Sequence, residues 1–204
     1  MNVFIDGDEV SVALEKDASF DDITDALKKI LDKDTKIITG LTVDGEFLTA
    51  ENESGLTVKK VKDIKRLEVV TDTPENLARV NLENSIVYLD TFSRQLDDVI
   101  EVLRSGGEEE TYNIFVDGIN GLEHIILLMD VSGQLLGLNY SELEVGGTKV
   151  LAFFDEFMVS MKEFGTALKD KDNVYLQDLL QYEMKPSLVK MKSIASVLLK
   201  KIDQ

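Results

Sequence analysis

Residues 66–80 read RLEVVTDTPENLARV. Two kinds of backbone meet in this stretch. Arg66–Thr71 is rich in β-branched residues and alternates as a strand does. Thr73-Pro74 then sets a hydroxyl at a helix cap and a proline at the first helical position, where the missing N–H leaves no bond unmade. Beyond it Leu82, Ile86, Leu89, Phe92, Leu96, Val99 and Leu103 advance by threes and fours, the spacing of one helix face. The junction predicts an α+β chain: a strand-rich domain at 1–72 and a helical domain at 73–204.

Upstream, NVFID (2–6) and EVSVAL (9–14) are strand-like runs joined through Gly7-Asp8, a hairpin signal. In SFDDITDALKKILDKD (19–34), Ser19 followed three residues later by Asp22 starts a helix in the manner of a capping box. Phe20, Ile23, Leu27, Ile30 and Leu31 form its apolar stripe, and it is expected to stop near Asp34. KIITGLTV (36–43) and EFLTA (46–50) flank Asp44-Gly45, a second hairpin signal. RLEVVT (66–71) closes the unit.

The order β-β-α-β-β-β, with GLTVKKVKDI (55–64) before the last strand, resembles the ubiquitin-like β-grasp fold over about residues 1–72. That resemblance implies a helix packed across one face of a mixed sheet. A conjugated modifier of that family ends in a free diglycine tail, whereas RLEVVTDTPEN runs on into a helix. The resemblance therefore implies the scaffold and not conjugation, and a scaffold does not fix a function.

Downstream, Gly106-Gly107 ends the first long helix and the acids at 108–110 suit the positive end of the next. The second helix carries Tyr112, Phe115, Ile119, Leu122, Ile126 and Met129. SGQLLGLNYSELEVGGTKV (132–150) is the longest connection. The third carries Val150, Phe154, Phe157, Met161, Phe164 and Leu168. Asp172-Asn173 opens the fourth, with Leu176, Leu180, Met184, Leu188, Met191, Ile194 and Leu198 on its seam. About four long amphipathic helices with mostly short links predict an antiparallel bundle. Pro186 is expected to kink the fourth or to break it near Met184–Lys185.

Composition narrows the function. The chain has 204 residues, no cysteine and a formal charge of −17. Without cysteine there are no disulfides, thiolate metal sites or cysteine nucleophiles, which fits a reducing cytoplasm. The N-terminus is acidic, and the longest apolar run, IILLM at 125–129, is far too short to span a bilayer. The expectation is a soluble cytoplasmic protein with no membrane partner. The overall field also argues against a nucleic-acid partner. The local exception is a basic run, Lys59, Lys60, Lys62, Lys65 and Arg66, read either as a solvated loop and strand edge protected by lysines or as a patch for an acidic partner.

Catalytic equipment is sparse. A carboxylate-bridged di-iron bundle needs two Glu-x-x-His pairs, and this chain has one histidine, His124, with its acid adjacent at Glu123. Neighbouring helical side chains diverge by about 100°, so the two do not share a metal. No G-x-S-x-G elbow or phosphate-binding glycine motif occurs. No cofactor, metal site or catalytic residue is assigned, and the chain is read as non-enzymatic.

Two stretches stand out. In VDGINGLEHI (116–125), with Phe115, Ile119, Leu122 and Ile126 on the core face, His124 lies about 200° round from Leu122. Asn113, Asp117, Asn120 and His124 then form one polar stripe, either a small functional site or the outer face of a helix. Gly118 and Gly121 mark a close helix approach, within the chain or from a second copy. In LAFFDEFMVSMKEF (151–164), Phe153, Phe154, Phe157, Met158 and Met161 are either plain core at helical spacing or a candidate partner surface, with part of the helix reaching beyond the core.

Three functions follow as expectations. The first is a protein–protein interaction module, an adaptor, chaperone or assembly factor with a protein partner; its small, acidic, helical character is similar to bacterial secretion and flagellar export chaperones. The second is a small-ligand or metal-binding protein or enzyme using the stripe around His124. The third is a structural homodimer formed through the second helix.

Overall fold

The computed structural model of the chain describes residues 1–15, 17–31, 35–106 and 109–204. Five strands come first: β1 (Asn2–Ile5), β2 (Asp8–Val10), β3 (Ile37–Val43), β4 (Glu46–Phe47) and β5 (Arg66–Asp72). They form one mixed sheet in the order β2-β1-β5-β3-β4. β1 runs parallel to β5, and the other pairings are antiparallel.

Two Asp-Gly turns set this register. Asp44 and Gly45 both take positive φ, 53° and 89°, between paired Val43 and Glu46. Asp6 and Gly7 do the same at 52° and 92°. The two-residue hairpin turn needs positive φ at both central positions, which aspartate tolerates and glycine adopts freely. The first turn therefore sits at Asp6-Gly7 and not at the expected Gly7-Asp8, because Asp8 already pairs with Ile5.

Each turn aspartate also fastens the central strand. The Asp6 carboxylate accepts from the Thr71 hydroxyl (2.6 Å), Lys36 Nζ (2.9 Å) and the Thr71 amide (2.8 Å). The Thr71 hydroxyl foremost, then Lys36 and the Thr71 amide, hold its pKa down at about 2. At the other end the Asp44 carboxylate accepts from the Lys65 and Arg66 amides, each at 2.8 Å. The Arg66 amide is the main cause of its lowered pKa. β5 is thus held at both ends by residues distant in sequence.

Helix α1 (Phe20–Leu31) covers one face of the sheet. Its capping box forms: Ser19 N–H and Oγ donate to Asp22 at 2.8 Å, and Asp22 N–H donates back to Ser19 Oγ at 3.2 Å. Phe20, Ile23 and Leu27 are buried against Val3, Leu41, Val43, Leu67 and Val69, and Leu31 is buried at the end of the helix. Each such side chain contributes about 1.5–3 kcal/mol by leaving water. A short helix α2 (Glu53–Leu56) and a 3-10 turn (Val61–Asp63) lead into β5, with Leu56 and Ile64 closing the same core. The expected stop near Asp34 lies outside the described residues, as do Gly107 and Glu108 and the side chain of Tyr112. EVSVAL pairs only as far as Val10, opposite Val3.

The helical part holds α3 (Pro74–Arg104), α4 (Glu109–Leu135), α5 (Val150–Asp170), α6 (Asn173–Leu179) and α7 (Lys185–Ile202). Thr73 Oγ1 caps α3 by accepting from the Asn76 amide at 3.1 Å. The chain divides into two compact units, Met1–Asn76 and Leu77–Gln204.

Contacts within the second unit give the helix directions. Tyr88 of α3 reaches Gly121 of α4, while Phe92, one turn further along, reaches Gly118, one turn back, so α3 and α4 are antiparallel. Phe115 near the start of α4 meets Phe164 near the end of α5, with ring centroids 6.1 Å apart. Ionic rungs join α3 to the last helix: Arg79–Asp203 at 2.7 Å, Asp90–Lys192 at 2.6 Å, and Asp97–Lys185. Every step up α3 is matched by an equal step back along α7, which is antiparallel packing. The core between them runs through Leu82, Leu89, Leu96, Leu122, Leu188 and Leu198.

Two features differ from expectation. Residues 144–149 form a small hairpin, β6 (Glu144–Val145) and β7 (Thr148–Lys149), turning on Gly146-Gly147 with φ of 57° and 75°. And Pro186 does not break the fourth helix. The backbone stays helical from Asn173 to Ile202 through a π turn, Leu180–Met184, where Lys185 N–H donates to Leu180 O five residues back. The wider turn sits just ahead of the proline and keeps Leu180 and Met184 both buried.

Candidate functional site

The sheet has two faces, and α1 occupies one. Side chains alternate along a strand, so with Val3, Leu67, Val69, Leu41 and Val43 inward, their neighbours Phe4, Arg66, Glu68, Val70 and Thr42 point the other way. Pairing puts Glu9, Phe4, Glu68, Thr42 and Phe47 in one row across five strands. On this outer face Phe47 is 55% exposed and Val70 53% exposed. Both flank Gly40, where a Cβ would stand 3.1 Å from Phe47 Cε2 and 3.7 Å from Val70 Cβ. The Arg66 guanidinium lies 3.8 Å over the Phe4 ring and binds Glu68 at 2.7 and 2.9 Å. An apolar pair thus stands open beside an ordered cation, a combination found at protein-binding faces.

The basic run adjoins this face. Lys59 and Lys60 precede the 3-10 turn, Lys62 within it pairs with Asp17 at 2.8 Å, and Lys65 leads into β5, which Arg66 opens. β5 lies between β1 and β3. The strand-edge part of the reading is therefore corrected, while Lys59, Lys60 and Lys62 lie in the loop ahead of the strand: local sequence shows a strand here but not its rank in the sheet.

Asn113, Asp117, Asn120 and His124 share the exposed side of α4. Among the described residues no group of three His, Cys, Asp or Glu side chains is placed to hold a metal ion. Asp117 acts on a neighbour instead: burial foremost, and then its carboxylate, raise the pKa of Tyr88.

Behind the stripe the glycines are covered from within the chain. A Cβ on Gly118 would fall 1.9 Å from Phe92 Cε2, and one on Gly121 1.8 Å from the Tyr88 oxygen. Tyr88 also donates to Gly118 O at 2.9 Å.

Of the Phe/Met cluster, Phe153, Phe154, Phe157 and Met161 are buried, and Met158 alone is exposed. The connection before α5 accounts for this. Tyr140 folds back against Phe154 with centroids 6.1 Å apart, and Phe153 meets Phe154 at a tilt, 5.7 Å between centroids, and stacks on Phe157 at 6.3 Å. These rings are core, the first of the two readings, and not a partner surface.

A polar groove of about 670 Å³ beside the π turn had no place in the sequence reading. Asp97, Glu101, Arg104, Gln181 and Lys185 line it; its cations are engaged, Lys185 with Asp97 and Arg104 with Gln181 at 3.1 Å. Nor did the sequence single out Phe47 and Val70, since nothing local says which sheet face a helix will cover. No helix among the described residues is long and apolar enough to cross a membrane.

Comparison with known families found two matches. Residues 81–194 match the family described as a domain of unknown function, DUF8042, and residues 1–73 match the TP0873 N-terminal domain. No curated protein and no solved structure matches the chain.

Proposed function

The chain belongs to the DUF8042 family, and from that footing we propose that it is a non-enzymatic protein–protein interaction module, an adaptor, chaperone or assembly factor acting through the open sheet face. One observation carries the reading: Phe47 and Val70, each more than half exposed, stand side by side on a face that α1 leaves free. Isolated exposed apolar residues are ordinary, but adjacent ones on a flat sheet favour a partner. The neighbouring Lys65 and Arg66 supply the charge that would orient an acidic one. The first unit is read as a ubiquitin-like β-grasp, supported by the β2-β1-β5-β3-β4 order, the parallel β1–β5 pair and helix α1 packed on one face.

The test is affinity capture from native lysate with the full chain and with Phe47→Asp and Val70→Asp. Both positions are exposed, so stability should move by less than about 0.5–1 kcal/mol. The expected result is a stoichiometric partner held by the wild type, lost with either variant and kept by His124→Ala. Retention by the variants would remove this face from the proposal. If a metal or metabolite raises the melting temperature of the wild type but not of His124→Ala, the α4 stripe becomes the site instead.

A further inference from the structure

The last paired residue of β2 is Val10, yet the chain keeps strand character beyond it. Along Ser11–Leu14 exposed and half-buried positions alternate, with Val12 and Leu14 packed on the core of the first unit. Among the described residues the backbone groups of these four have no hydrogen-bond partner. β2 is an edge of the sheet, so its other side is unpaired as well. Ile5 and Asp8 close the two-residue turn and Val3 and Val10 form the next bonded pair. The amide and carbonyl of Glu9, and by alternation those of Ser11 and Ala13, therefore point away from β1.

The space beside this edge is open and shaped. A groove of about 520 Å³ lies between Ser11–Leu14 and α1, floored by Ala26 and Ile30. Its charged rim is Asp22 and Asp25 against Lys29. The Ser19 amide and hydroxyl of the helix cap lower the pKa of Asp22. Asp25 is shared with Lys28 at 3.8 Å, a separation that leaves it exposed.

We propose that this edge takes up an extended peptide as a sixth strand. Outward amides of Glu9, Ser11 and Ala13 would pair with its backbone, one apolar side chain would enter the groove over Ala26 and Ile30, and a lysine or arginine would meet Asp22 and Asp25. Strand addition draws affinity from main-chain hydrogen bonds and specificity from alternate side-chain pockets, and both elements are present here. A second copy of the same edge is a poor occupant. It would set Asp8, Glu9 and Glu15 of one copy against those of the other, and like charges facing across strands repel. This surface is separate from the face bearing Phe47 and Val70, so either stands if the other fails.

The experiment uses the full chain, isotope-labelled, and two capped synthetic peptides with one alternating valine–threonine centre. One is flanked by lysines, the other by glutamates. The lysine peptide should shift the amides of Glu9–Leu14 and of α1, with the glutamate peptide binding at least about tenfold more weakly. Ala13→Pro removes one outward N–H that has no partner in the free protein, and should abolish binding; Ala13→Val should keep it. If the proline disturbs the fold, Asp25→Lys carries the same test by reversing the peptide preference. Absence of shifts at Glu9–Leu14, shifts confined to the Phe47–Val70 face, equal binding of both peptides, or association of two copies through this edge would each overturn the proposal.

Discussion

At the scale of single residues, glycine in the helices has two opposite meanings, and alanine substitution separates them. In a helix interior Gly→Ala gains up to about 1 kcal/mol from propensity alone. Gly165 in α5 has nothing within 4 Å of where a Cβ would stand, so Gly165→Ala should show that gain. At Gly118 the new methyl falls 1.9 Å from a ring carbon of Phe92, and Phe92 is only 1% exposed and cannot retreat. Overpacking of a closed core costs about 1–3 kcal/mol. Gly118→Ala should therefore lose about 1–2 kcal/mol net, despite its better helix former. Gly121 lies between the two. The atom in its way is the Tyr88 hydroxyl at the tip of a half-buried side chain, which can swing out at the loss of its bond to Gly118 O, about 1 kcal/mol. Gly121→Ala should come out near neutral. Urea unfolding at constant m-value ranks the three, with Gly165→Ala the most stable and Gly118→Ala the least. Equal midpoints for Gly118→Ala and Gly165→Ala would mean that Phe92 does not press on α4.

At the scale of elements, the π turn in the last helix corrects a mismatch written into its apolar row. Leu176, Leu180, Met184 and Leu188 follow one another in three successive steps of four, and all four are buried. An α-helix turns about 100° per residue, so each step of four overshoots by about 40° and the row would wander off the core by about 120°. The wider turn at Leu180–Met184 takes up that excess, and after it the row returns to threes and fours through Met191, Ile194 and Leu198. Pro186, which has no N–H to give, sits where the widening ends. The row and not the proline is then the cause, and the two can be told apart. Pro186→Ala should change stability by less than about 1 kcal/mol, the position being exposed. Deleting exposed Gln181 turns the row into steps of four, three and four, which a plain α-helix keeps on one face, so it should be tolerated within about 1–2 kcal/mol, the bond to Arg104 being lost with it. Thermal melts of both variants check this, and a deletion that costs several kcal/mol would show that the spacing of the row does not set the π turn. The spacing of four was legible in the sequence, as were the Ser19–Asp22 cap, the Asp44-Gly45 turn and the junction at Thr73-Pro74, because each is a local pattern. What stayed hidden depends on neighbours. Phe153 is core because Tyr140 folds over its neighbour Phe154, Lys65 and Arg66 lead into a central strand because of the sheet order, and Phe47 is open because α1 chose the other face.

At the scale of the whole molecule, the chain has two hydrophobic cores with no residue in common. One is built from residues between Val3 and Val69, the other from residues between Leu82 and Leu198. The only covalent passage is the Asp72–Thr73–Pro74 turn, where Asn76 Nδ2 donates to both Asp72 carboxylate oxygens at 3.0 and 2.8 Å. Each core is closed by elements of its own unit, so each should fold when the chain is cut at that turn. A piece ending at Thr73 keeps all five strands, both Asp-Gly turns and α1; a piece beginning at Thr73 keeps the α3 cap and every bundle helix. The small sheet unit, of a size at which burial leaves only about 3–5 kcal/mol of net stability, should melt first. The full chain should then show two thermal transitions, the lower one coinciding with the melt of the 1–73 piece and the upper one with that of the 73–204 piece. A single transition in the full chain, with a 1–73 piece that gives no dispersed amide spectrum, would show that the sheet depends on the helices. Two matching transitions would instead make the 1–73 piece, which carries both the open face at Phe47 and Val70 and the unpaired edge at Ser11–Leu14, the minimal unit on which to map a partner.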